Sequence, residues 1–97
     1  MRATLAALLV VLPAGIAGAA GTWERHAPLP LARSEVAAAL VGREIAVAGG
    51  YLADGGTSAR VDAYSPAADR WRRLPSLPVA VNHPMAAAWR GRLYVLG

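Results

Sequence analysis

Residues 23–49 read WERHAPLPLARSEVAAALVGREIAVAG, and residues 71–97 read WRRLPSLPVAVNHPMAAAWRGRLYVLG. The two stretches align without a gap at a shift of 48 positions. Trp23 falls on Trp71, Leu29-Pro30 on Leu77-Pro78, Ala32 on Ala80 and Ala38-Ala39 on Ala86-Ala87. Val47 falls on Val95 and Gly49 on Gly97, and Ile45 meets Leu93 as a conservative match. An ungapped internal period of this length signals stacked or radial structural units.

Working outward, one period resolves into four short strands. Val36 to Val41 is an apolar run whose length and following Gly42 favour a buried strand over a helix. Val41-Gly42-Arg43-Glu44 predicts a hairpin turn into a second strand, Ile45 to Ala48. Gly49-Gly50 ends that strand at a point of close backbone approach or positive φ. Tyr51 to Ser58 is a loop with Asp54-Gly55-Gly56 at its tip. Arg60 to Tyr64 alternates with period two, setting Val61 and Ala63 against Arg60, Asp62 and Tyr64. Ser65 to Asp69 turns the chain into a fourth strand, Arg70 to Leu74, with Trp71 and Arg73 on one face. Arg70 and Arg72 on its other face are expected to keep an outer edge soluble and unpaired. Met85 to Trp89, Arg90-Gly91 and Leu93 to Leu96 then repeat the first two strands. Four short antiparallel strands per period describe a blade of a β-propeller, so the fold class is all-β.

The N-terminus reads differently. Met1-Arg2 is a positive n-region, Ala3 to Leu12 an apolar run broken by Pro13 and Gly15, and Ala17-Gly18-Ala19 offers small residues for cleavage. This is the pattern of a secretory signal peptide over residues 1–20, cut after Ala19 or Ala20. The competing membrane anchor is disfavoured by its short apolar core and by Pro13, Gly15 and Gly18. A secreted or periplasmic protein is therefore expected, with no membrane span after cleavage.

Composition narrows the function classes. All 10 basic residues are arginine, and with 6 acidic residues the formal charge is +4. No basic run tracks a phosphate backbone: Arg70, Arg72 and Arg73 come closest, beside Asp69, so nucleic acid is not an expected partner. There is no cysteine, which removes disulfides, thiolate metal sites and a cysteine nucleophile. The two histidines and scattered carboxylates lack metal-ligand spacing. The glycine pairs lack a phosphate-loop pattern, and no cofactor is expected.

Gly49-Gly50, then Tyr64 seven positions before Trp71, then Leu77-Pro78, together resemble a kelch repeat. Gly91 to Gly97, with Tyr94 inside it, is similar to the same strand-and-glycine signature. Ala46 departs from the pattern, standing where the family usually has an aromatic and where Tyr94 stands in the second copy. The resemblance, which takes in galactose-oxidase-like central domains, implies that Trp71 lies on an outermost strand. Trp23 then belongs to a closing strand at about residues 22–26. Blade 1 covers about residues 34–74, and the first half of blade 2 about 83–97. Residues 21–97 thus form a partial propeller of about one and a half blades. They are expected to be the N-terminal piece of a ring of about six or seven blades. Missing blades, or self-association, would close the ring.

The resemblance also places candidate residues. In kelch rings, the loops between blades share a rim with those between the second and third strands and often line the ligand site. Matching loops puts Arg33, Asn82 and His83 in the first kind and Tyr51 and Asp54 in the second. Arg33 is similar to an arginine that opens many kelch blades. It offers a guanidinium for clamping a carboxylate, or equally a structural donor to backbone carbonyls. His83 offers acid–base chemistry, with a backbone-bonded loop histidine as the simpler role. Asp62 and Asp69 are expected at turns and on the surface, and Trp23, Trp71 and Trp89 in packing between blades. Two functions follow: a scaffold that binds a protein or glycan, which takes precedence because no catalytic constellation is recognisable, and an exported carbohydrate-active enzyme, sialic-acid-epimerase-like or galactose-oxidase-like. Fold alone does not decide between them.

Overall fold

A computed structural model of the chain describes residues 20–97; the leader expected over residues 1–20 falls, but for its last residue, outside them. Six strands follow in order. They are β1 (Ala37–Val41), β2 (Glu44–Ala48), β3 (Val61–Ser65), β4 (Arg70–Leu74), β5 (Met85–Trp89) and β6 (Arg92–Leu96). The first four form one antiparallel sheet in the order β1-β2-β3-β4, and β5-β6 a second, two-stranded sheet. Each strand has five residues, so the four-stranded unit is the blade that the period predicts.

Boundaries move slightly. Val41 pairs with Glu44, and Trp89 with Arg92, so each hairpin turn is two residues and both flanking residues join the ladder. Gly42 has φ 62, and Arg90 and Gly91 have φ 48 and 73, the left-handed backbone that tight hairpins require. Residues 22–26, expected as a closing strand, pair with no sheet here, and Trp23 is fully exposed.

The core sits in the middle of the first sheet. Pairing stacks Ala37 on Ala48, Ala39 on Ala46 and Ala46 on Ala63, so one face is paved with alanines. Small side chains let the second hairpin approach: Leu93 and Gly91 face Val41, Ala46, Ala63 and Leu74 across a cleft of about 210 Å³. β1 and β5 also lie against each other, as the first strands of adjacent blades. The rim of this cleft carries a contact that the strand pattern missed. Arg72 lies on β4, the sheet's outer strand, whose far edge is unpaired as expected among the described residues, and its side chain makes a contact of its own. It reaches over Ala63 to Glu44, with Nη2–Oε1 at 2.6 Å and Nε–Oε2 at 2.9 Å. These hydrogen bonds hold the Glu44 carboxyl below its usual range.

At the outer edge, Tyr64 and Trp71 are direct cross-strand partners, with ring centroids 5.0 Å apart. The Trp71 indole donates to Ala27 O at 2.8 Å, and Ala27 N–H donates to Asp69 Oδ1 at 2.8 Å. Tyr64 donates to the same oxygen at 2.7 Å. Trp71 therefore packs as expected, but on its own blade and the incoming chain. Trp89 is largely exposed, with the Arg90 guanidinium 4.4 Å above its ring.

Candidate ligand-binding rim

The rim begins with the paired glycines. A Cβ on Gly49 would stand 2.5 Å from Val81 O, and one on Gly50 would stand 2.5 Å from Ser34 O and 2.7 Å from Val36 Cγ1. With φ of 67 and 105, both positions exclude a side chain twice over, by conformation and by space. What crowds them is the loop entering each repeat. Ser34 and Tyr51 exchange both backbone hydrogen bonds, at 3.0 and 2.8 Å. Gly50 N–H donates to Val81 O at 2.8 Å, and Val81 N–H to Ser58 O at 3.2 Å. The glycines thus tie three loops into one rim: residues 33–36, 49–60 and 75–84.

Of the five residues predicted for this rim, three meet. His83 stands edge-on to Tyr51, with ring centroids 5.5 Å apart at 84°. Its Nδ1 lies 3.0 Å from Asn82 Oδ1, and Asn82 Nδ2 donates to Thr57 Oγ1 at 2.9 Å. The imidazole's other nitrogen, Nε2, lies 3.3 Å from Glu35 Oε2, and His83 N–H donates to Glu35 O at 3.0 Å. With its Nδ2 donating to Thr57, Asn82 turns its Oδ1, an acceptor, toward the His83 ring. The cluster can present an imidazole–carboxylate couple, a phenol and an amide to solvent. Asp54 stands apart at the loop tip. It accepts from Gly56 N–H at 2.8 Å beside an open depression of about 360 Å³ lined by Leu31, Ala32, Leu52 and Ala53.

Arg33 lies beneath the rim. Its side chain is wholly buried, with Nη1 3.0 Å from Asp62 Oδ2 and Nη2 3.4 Å from Val47 O. This is the structural role of an arginine, extended by a charge partner. Asp62 corrects the expectation of a surface aspartate, because it too is wholly buried. Arg60 closes on it from the other side, with Nε 3.0 Å from Oδ2 and Nη2 3.0 Å from Oδ1. Burial by itself would raise the Asp62 carboxyl. The hydrogen bonds from Arg60 and then Arg33 outweigh it and hold the group below the usual carboxylate range. Among the described residues, two cations around one anion leave the Arg33 Nε without a partner.

Glu35 and Thr57 were missed as rim residues. Glu35 was legible in principle, because it lies one period before His83 and both adopt left-handed backbone, φ 51 and 50. No corresponding signal marks Thr57. Among the described residues no group of three or more His, Cys, Asp or Glu side chains gathers as metal ligands.

The family model described as Kelch motif matches residues 32–78, the span of the glycine pair, the Tyr64–Trp71 partners and the buried Arg33–Asp62 pair. The chain belongs to the kelch-repeat family. It is similar to Kelch repeat protein M-T8 of Myxoma virus (strain Lausanne), 36% identical over 78 residues, covering 80% of this chain and 15% of that protein. It is also similar to Beta-scruin of Limulus polyphemus, 32% identical over 75 residues, covering 77% of this chain and 8% of that one. Among solved structures, that of YjhT superposes with a TM-score of 0.65 at 24% identity, covering 76% of this chain and 23% of its own, which supports the propeller fold. The kelch chain thus spans less than a quarter of the length of these relatives.

Proposed function

We propose that this kelch chain contributes a ligand-binding rim to a propeller scaffold of a secreted or periplasmic protein, and that the ligand is a protein or a glycan. One observation carries the reading. Tyr51, Asn82 and His83, drawn from two different loops, converge with Glu35 on one edge of the blade. Loops presented by a rigid scaffold are where recognition residues concentrate. Arg33, held on Asp62, supports the rim from below.

The test uses the exported protein. A glycan array and capture of exported proteins are compared for wild type and a Tyr51→Ala/His83→Ala variant with unchanged circular dichroism. The reading expects a loss of binding of at least about tenfold, the scale of removing an aromatic anchor. Unchanged binding contradicts the rim, and turnover of a bound sugar contradicts a binding-only function. N-terminal sequencing of the same preparation is expected to begin after Ala19 or Ala20; an intact Met1 contradicts the leader.

A further inference from the structure

Charge is unevenly divided between the two ends of the blades. The rim end holds Arg33, Arg60 and Arg73 against as many carboxylates, Glu35, Asp54 and Asp62. The opposite end is made of the strand turns. Val41 pairs with Glu44, Ile45 with Tyr64 and Ser65 with Arg70, so the turns at 42–43 and 66–69 lie at one end of the first blade. Gly91 lines the same cleft as Val41 and Glu44, which brings the turn at 90–91 beside them. This end gathers Arg43, Arg70, Arg72, Arg90 and Arg92 against only Glu44 and Asp69. With Arg25 and Glu24 cancelling, the excess positive charge over residues 20–97 falls at the turn end. Both carboxylates there are already engaged. Arg72 holds Glu44, with Nη2–Oε1 at 2.6 Å, and Asp69 accepts from Ala27 N–H and from the Tyr64 hydroxyl. Arg43, Arg70, Arg90 and Arg92 are exposed and take part in no ion pair among the described residues. Arg90 stands 4.4 Å over the Trp89 ring, a contact that orients the guanidinium without neutralising it.

We infer that the turn end is a docking face for an anionic phospholipid bilayer, an interaction that does not depend on what the rim binds. A guanidinium bonds a phosphate through two parallel N–H groups, which suits arginine to lipid headgroups. The shape of the end favours a flat surface over a polymer strand. Turns of two residues at 42–43 and 90–91 project little, and the arginines spread across two blades rather than following one strand or groove. Basic side chains beside an anionic leaflet each strengthen binding about fivefold. Docking by the turns leaves the opposite rim, with Tyr51 and His83, pointing away from the bilayer and open to its own ligand.

The experiment is co-sedimentation of the purified exported protein with vesicles at about 5 mM lipid, made of phosphatidylcholine alone or with about 30% phosphatidylglycerol. Wild type is expected to pellet with the anionic vesicles and not with phosphatidylcholine, and to be released by about 0.5 M salt, which screens exposed charges. Arg43→Gln and Arg90→Asn are each expected to weaken the partition about fivefold, and together roughly thirtyfold. Asparagine suits the left-handed φ of 48 at position 90, so that variant keeps its hairpin. Arg73→Gln removes the same charge from the rim end and is expected to change the partition less than about twofold. Circular dichroism verifies the fold of each variant. The proposal is overturned by a wild type that stays in solution beside anionic vesicles, including one that binds only a polyanionic chain such as heparin. It is overturned equally by the same binding to phosphatidylcholine, or by an Arg73→Gln loss as large as that of Arg43→Gln, which would make net charge alone responsible.

Discussion

Ala46 and Tyr94 hold the same place in two successive repeats, yet Ala46 is 2% exposed and Tyr94 42%. The first hairpin continues into β3 and β4, and the second sheet lies on its alanine face; among the described residues the second hairpin has neither cover. The motif builds the same ladder twice, whereas burial depends on the neighbours, as expected of units that bury their faces only against each other. Position 33 makes the same point from inside. Arg33 is locked on Asp62 of β3, while its equivalent one period later is Val81, which packs against Gly97.

The largest break in this comparison is expected from the charged centre of the first blade. Asp62→Ala leaves the buried Arg33 guanidinium without its anion and is expected to cost about 3–5 kcal/mol. Urea denaturation followed by circular dichroism checks it; a loss below about 1 kcal/mol, the scale of a surface pair, would mean that the cluster does not hold the blade. Because the folded Asp62 carboxyl lies below the ordinary aspartate value of about 3.9, its contribution is present above that pH and is lost as pH falls through the lower, folded value.

A smaller effect sharpens the comparison at the outer edge of the first blade. The Asp69 carboxyl is lowered by the Ala27 N–H first and by Tyr64 second, and the hydrogen bond to Asp69 pushes the Tyr64 phenol up to about 12. An unfolded tyrosine titrates near 10. The stabilisation from this pair is thus fully present below pH of about 10 and is lost as pH rises through about 12. Phenolate absorbance of wild type minus Tyr64→Phe is expected to isolate that titration, and Asp69→Asn to move it down. A difference curve centred near 10 would mean that Tyr64 does not hold Asp69.

The period of 48 residues, the strand order and the glycine crowding were legible because they are local signals: hairpin turns, alternation and a repeated motif. The rim was legible in part. Tyr51, Asn82 and His83 follow from which loops share an edge. The depth of Arg33 and Asp62 does not, because alternation assigns a face to Asp62 but not what covers that face. The partner of Arg72 was not legible for a related reason. That partner, Glu44, lies two strands away across Ala63, and a single-strand pattern contains no such diagonal. Glu35 shows what the repeat could still have supplied, since its equivalence to His83 pairs the two across the blade boundary.

The account rests on one unequal pair: two hairpins alike in sequence and unlike in cover. Native-state hydrogen exchange measures that inequality directly. Amides of β2 and β3, around Ala46, Val61 and Ala63, are expected to exchange slowest, and those of β5 and β6 at least about tenfold faster, as local opening follows missing cover. Equal protection in the two hairpins, or slower exchange in β5-β6, would contradict the claim that the neighbouring sheet and the buried Arg33–Asp62–Arg60 cluster, rather than the motif itself, make the core.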